Sequence, residues 1–140
     1  LDELMVVDPA RHDQAAVKKF ELLLFALHRY DEGYQWATQL VDIMFKDRPE
    51  MLNAIAWAIV DGQGLEQRNL DLALRAAVRA EDLTDGANME VLDTLARVHF
   101  EKGNVDKAVT IQEQALKLAI DPKRKLESQA RLDKYKAAQG

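Results

Sequence analysis

Two stretches decide how this chain folds: "MLNAIAWAIV" at 51–60 and "VLDTLARVHF" at 91–100. Leu52 aligns with Leu92, Ile55 with Leu95 and Ala56 with Ala96. Apolar residues recurring at three and four are spaced for one face of a helix. A second pair of stretches follows the first. "NLDLALRAAVRA" (69–80) aligns with "NVDKAVTIQEQA" (104–115), pairing Asn69 with Asn104, Ala73 with Ala108 and Ala80 with Ala115. Asparagine favours the position before a helix, because its side-chain oxygen accepts from the unpaired N–H groups of the first turn. Each unit therefore reads as a helix, a turn, an Asn cap and a second helix. Ala96 and Ala108 are 12 residues apart, whereas Ala56 and Ala73 are 17 apart. The middle unit thus carries five extra residues before its cap, within "DGQGLEQ".

Outward from this pair the pattern weakens. In "KKFELLLFALHRYDEGYQWATQLVDIMFKDRP" (18–49), Phe20, Leu23, Leu24 and Leu27 share one helix face. Gly33 is expected to break that helix, and Ala37, Val41 and Met44 to line a second. Pro9, Pro49 and Pro122 fall where first helices begin, a position that tolerates proline because its missing N–H would be unpaired anyway. "LDELMVVDP" (1–9) parallels "LKLAIDP" (116–122), so residues 1–7 are expected to end a preceding helix. A start at Leu1 then suggests an excised or processed piece. "PKRKLESQARLDKYKAAQ" reads as a charged capping helix anchored by Leu126, Ala130 and Tyr135. One domain, 1–140, is expected to divide into a helical end (1–9), a degenerate repeat (13–47), a repeat with an enlarged turn (49–84), the best-matching repeat (88–120) and a capping helix (122–138).

Composition agrees with an all-α fold. Of 140 residues, 48% are hydrophobic, which argues against disorder, and only 3 prolines and 6 glycines interrupt the chain. There is no cysteine, which excludes disulfides, thiolate metal sites and thiol catalysis. No apolar run approaches the roughly 18 residues that span a membrane. No signal peptide is visible, since an acidic pair follows Leu1. Net charge is −5, with +4 on residues 123–140 and −9 on the remainder. A mostly acidic body argues against nucleic acid. The basic tail reads as a solvated helix face.

At this point the residues resemble the tetratricopeptide repeat family, whose units are helix pairs of about 34 residues. The third unit supplies Leu92, Leu95, Ala96, Gly103, Ala108, Ala115 and Pro122, and the middle unit Leu52, Ile55, Ala56, Ala73 and Ala80. The match is strongest over 89–122 and weakest over 14–49, where Leu24 replaces a small residue and is expected to hold its two helices further apart. The resemblance implies a right-handed stack of antiparallel helix hairpins. "LNAIAWAIVD", "LEQRNLDLALRAA" and "VLDTLARVHFEKGNVDKA" further resemble the repeat regions of bacterial proteins that carry a thioredoxin-like or redoxin domain before such repeats. That parentage would make this piece a scaffold, cytoplasmic or exported according to the parent.

No chemical motif competes with that reading. The Gly62–Gly64 pair lacks the Lys-Ser/Thr of a phosphate loop and the third glycine of a dinucleotide site, and Asp61 and Glu66 would repel phosphate. His12, His28 and His99 have no metal-ligand spacing, and His99 reads as a core or groove histidine. Glu81, Asp82 and Asp85 read as solvated surface. No catalytic, cofactor or metal residue is assigned. In the family resembled, first helices line a concave groove. By that likeness the peptide groove comprises Phe25, His28, Asn53, Trp57, Val60, Asp93, Arg97 and Phe100, flanked by Glu21, Arg29, Asp61 and Glu101. Phe25, Trp57 and Phe100 would form an aromatic row. Glu21 and Phe25 stand where the family's carboxylate clamp wants Lys and Asn, so capture of a C-terminal carboxylate is not expected. The expected function is a non-catalytic protein-interaction scaffold for a protein or peptide ligand. Self-association as a homodimer is the alternative, and an enzyme with an unrecognised helical cleft comes last.

Overall fold

The computed structural model describes residues 9–139. Residues 1–8, which cover most of the expected preceding helix, lie outside that range, as does Gly140. Among the described residues the chain is all helical, with no strand. Seven helices follow one another: α1 (Pro9–Glu21), α2 (Tyr30–Gln39), α3 (Pro49–Asp61), α4 (Leu70–Thr84), α5 (Met89–Glu101), α6 (Val105–Leu118) and α7 (Pro122–Ala137). α1 packs on α2, each helix from α3 onward packs on the next, and α3 also packs on α5, giving a stack of the helical-repeat kind. None of these helices is long and apolar enough to cross a membrane.

The starts of the helices follow from local chemistry. Asn69 Oδ1 accepts from Leu72 N at 3.0 Å, and Asn88 Oδ1 from Val91 N at 3.1 Å. Pro122 opens α7 behind Asp121, whose Oδ1 accepts from Arg124 N at 2.8 Å. Asn104 stands before α6, but its side chain does not cap that helix. Its Nδ2 instead lies 3.2 Å from His99 Nδ1. Since an amide nitrogen only donates, Nδ1 is the acceptor and the neutral ring carries its proton on Nε2. His99 is buried, as its place between Val98 and Phe100 suggests.

Packing between helices rests on small residues. Ala56, Ala73, Ala80, Ala96, Ala108 and Ala115 are all fully buried. Their short side chains let helix axes approach toward the near end of the usual ~8–10 Å range. Leu52, Ile55, Leu92 and Leu95 fill the space around them.

The units are also tied by a repeating polar ladder. Arg48 pairs with Asp13, Arg75 with Asp42, Arg79 with Asp47, Arg97 with Asp61, Lys102 with Asp71, Arg124 with Glu90 and Arg131 with Asp93. The partners are 31 to 38 residues apart, close to the 35 between Ala73 and Ala108. In each pair the cation comes from the later unit and the anion from the earlier one. Most of these pairs are solvent-exposed, so each adds little stability and the set chiefly fixes register.

Besides the Asn104 cap, three local expectations need correction. Gly33 does not break a helix; it lies inside α2. The break comes earlier, where Leu27 N bonds Leu22 O at 2.9 Å in a wide turn and His28 takes a φ of 52°. Gly33 also removes the separation expected from Leu24: a Cβ there would lie 2.6 Å from Leu24 Cδ2. The large residue of the wide turn that ends α1 thus sits against the smallest residue of α2, and close approach survives with the roles exchanged. Third, α7 is not anchored by Leu126 and Ala130. Leu126 is 73% exposed and Ala130 is exposed, while Ser128, Leu132 and Tyr135 face the stack.

The enlarged turn after α3 is an ordered structure in its own right. A Cβ on Gly62 would lie 2.5 Å from the Phe25 ring, so glycine admits that side chain. Gly64 takes a φ of 83°, in the left-handed region that glycine enters without steric cost. Arg68 donates to Ile59 O at 2.7 Å and Gly62 O at 2.6 Å, satisfying carbonyls that the end of α3 leaves open. Tyr30 Oη accepts from Glu66 N at 3.1 Å, and Tyr34 Oη donates to Gln67 O. The turn is therefore bound back onto α2 and α3.

Candidate binding groove

Helix α3 places Asn53, Trp57 and Asp61 one turn apart on one face. On α5, Asp93, Arg97 and Glu101 repeat that spacing. The face of α7 that meets them carries Arg131. Trp57 is the centre of the arrangement. The Arg97 guanidinium lies 5.7 Å from its ring centroid and that of Arg131 6.0 Å. Both separations fall in the range where a cation is drawn to an aromatic ring.

Each arginine is held by carboxylates. Arg97 donates to Asp61 and to Glu101, both at 3.0 Å. Burial works against its charge, but these two bonds outweigh that and raise its pKa. Arg131 donates to Asp93 Oδ2 at 3.0 Å. The Asp93 side chain is only 14% exposed. Burial pushes its pKa up, partly offset by bonds from Gln112 and the charge of Arg131. Further along, Phe100 stacks on Tyr135 with centroids 4.5 Å apart, and Lys134 lies 5.4 Å from the Phe100 ring.

Beside Trp57 lies a recess of about 210 Å³ lined by Asn53, Trp57, Glu90, Asp93, Thr94 and Arg131. Asn53 Oδ1 is shielded from solvent and has no hydrogen-bond partner. A larger open hollow of about 740 Å³ lies along α1 and the start of α3, but no aromatic side chain lines it. The recess beside Trp57 combines an aromatic wall with converging polar groups, the usual make-up of a recognition site.

The residues named from sequence divide into two groups. Asn53, Trp57 and Asp93 come together at the recess, with Arg97 beside Trp57. Phe100 belongs to the neighbouring Tyr135 stack. Val60 does not line a groove: it is 2% exposed and part of the core, because it lies on the α3 face turned inward with Ala56 and Ile59. Phe25 is half-buried against Gly62, and His28 is exposed with Nδ1 3.0 Å from Tyr30 Oη. His28 lines a separate hollow with Arg29, Asp31 and Gln67. The aromatic row is therefore replaced by guanidinium groups on either helix next to Trp57. Sequence reasoning missed Arg131, Glu90 and Thr94. Arg131 stands 34 residues after Arg97, one repeat on, and that spacing was the available signal.

Among the described residues no three His, Asp or Glu side chains gather to hold a metal ion. Neither a protein-family model nor a curated protein matches this chain.

Proposed function

We propose that the chain is a tetratricopeptide-type interaction scaffold that binds an extended protein segment along α3, α5 and α7, with Trp57 as its anchor. In this reading it has no catalytic role and serves as the repeat region of a larger, redoxin-linked bacterial protein. The carrying observation is Trp57 at the edge of the recess: a half-buried indole flanked by two carboxylate-held guanidinium groups, Arg97 and Arg131. Trp and Arg are the residue types that concentrate binding energy at interfaces. Support for the repeat type comes from the buried alanines at matching positions and the ion pairs spaced by about one repeat.

A random peptide library selected on the wild-type protein and on Trp57→Ala tests this reading. Peptides enriched only on the wild type should bind the variant with affinity weakened by about 2 kcal/mol, or roughly 30-fold. Calorimetry measures that difference, with circular dichroism confirming that the variant is folded. Peptides that bind both forms equally would remove Trp57 and the recess from the proposal. A second reading, self-association, is favoured by Ile120 and Leu126, which are 88% and 73% exposed at one end of the stack. Light scattering over a range of concentrations separates it: a stable dimer would favour self-assembly.

A further inference from the structure

The most unusual side chain behind the recess is one that no ligand in the groove would touch. Gln112 lies on the buried stripe of α6 with Ala108, Val109 and Ala115, where an apolar residue would normally sit. It is 0% exposed. Its Nε2 lies 2.8 Å from Asp93 Oδ1 on α5 and 2.8 Å from Ser128 Oγ on α7. Its Oε1 is buried without a partner. An unpaired buried acceptor is costly, whereas methionine would fill the same volume without that cost.

The geometry of its bonds shows what the amide does. Gln112 holds one oxygen of Asp93, and Arg131 takes the other at 3.0 Å. Arg131 in turn lies over Trp57. We infer that Gln112 is a positioning residue: through Asp93 it fixes the Arg131 guanidinium beside Trp57 and so sets the shape of the recess. The inference rests on the peptide-groove reading and names a residue that controls it from the second layer of helices.

The charges around Asp93 are consistent with that role. Arg131 and Arg124 face it from α7, and Glu90 lies on its own helix. α6 contributes the uncharged Gln112, and α3 contributes Asn53 and Trp57. The Gln112 bond works against the upward push of burial on Asp93. Losing it therefore moves the Asp93 titration to higher pH and frees the carboxylate oxygen that Gln112 held, so that the carboxylate can turn beside Arg131.

The test uses Gln112→Met, Asp93→Asn and the double variant. Three readouts are needed: thermal stability, the Asp93 carboxyl titration by carbon-13 NMR, and the affinity of a selected Trp57-dependent peptide. Gln112→Met should keep or gain stability, shift the Asp93 midpoint upward, and weaken the peptide about tenfold, the effect of ~1.4 kcal/mol at 25 °C. A merely structural glutamine would lower stability and leave the affinity unchanged. Asp93→Asn should weaken the peptide similarly, and adding Gln112→Met to it should cost no more, because both act through one bond. Additive losses, or an unchanged affinity in Gln112→Met, would overturn the inference. Should Gln112→Met fail to fold, Gln112→Leu decides: it also removes the amide, and must shift the Asp93 midpoint upward and weaken the peptide, or the inference falls. If no Trp57-dependent peptide exists, the groove reading falls, and an Asp93 midpoint that does not move with Gln112 overturns the positioning role separately.

Discussion

The α1–α2 and α5–α6 pairs solve one packing problem in opposite ways. In the later pair both helices contribute small residues, Ala96 from α5 and Ala108 from α6, each fully buried. In the earlier pair the wide turn that ends α1 contributes Leu24 and α2 answers with Gly33, whose missing Cβ leaves the room that Leu24 occupies. Close approach of helices depends on the sum of two side chains and not on either one. The earlier pair also ends both helices in wide turns, with Leu27 N on Leu22 O and Phe45 N on Leu40 O at 2.7 Å. The later pair instead joins its helices through Gly103, at a φ of 88°.

The largest expected effect tests the exchanged pair. Leu24→Ala should cost about 2–5 kcal/mol, because it empties a fully buried site that Gly33 cannot refill. Chemical denaturation measures it, and a loss under 1 kcal/mol, or roughly the cost of a conservative core change, would show that the first pair collapses around the gap. The same overall logic reversed gives Ala108→Leu, which adds bulk where both helices are already in contact. That change should cost about 1–3 kcal/mol, read as a lowered melting temperature; an unchanged melt would mean that α5 and α6 have slack.

A smaller effect concerns pH and lies only in the later pair. Burial, with Lys107 and Lys102 nearby, lowers the pKa of His99 below its ordinary value of 6.5. The unfolded chain therefore binds this proton more readily than the folded one. The stabilising contribution of neutral His99 is complete above about pH 6.5 and is lost as pH falls through and below that value. Wild-type protein should lose more stability than His99→Gln between pH 7.5 and 5.5, two assay conditions spanning roughly the imidazole range. Parallel losses in the two proteins would show that His99 is not the group responsible. Smallest of all is Leu126→Ala. With most of its surface in water, Leu126 should change stability by no more than about 0.5 kcal/mol in a monomer. A larger loss would mean that this face is covered by another molecule.

Much of the fold was legible in the sequence. The three-and-four spacing of Leu52, Ile55 and Ala56, repeated at Leu92, Leu95 and Ala96, marks the helices without reference to anything beyond them. Asn69, Asn104 and the prolines mark helix starts, because starting a helix is a matter of one turn of backbone, though only Asn69 of the two caps through its side chain. The site was legible only in part. Asn53, Trp57 and Asp93 carry polar or aromatic chemistry at groove-side spacing, and they do meet. Val60 was misplaced because periodicity gives a helix face to within a residue or so, and a one-position error turns a side chain by about 100°, from surface to core. Gly33 was misread because a glycine in a helical pattern signals either a break or a close approach, and only its neighbour across the interface distinguishes them.

The sequence by itself determined that this protein is all helical, repeated and built on small residues, since each of those features is encoded within a few consecutive positions. The tertiary structure alone decided that Leu24 and Gly33 are partners, that α7 faces the stack with Ser128, Leu132 and Tyr135, and that Gln112, Asp93, Arg131 and Trp57 form one connected set. Those four residues come from four different helices. Their relation depends on how the helices are rotated and spaced against each other, which no single stretch of sequence contains.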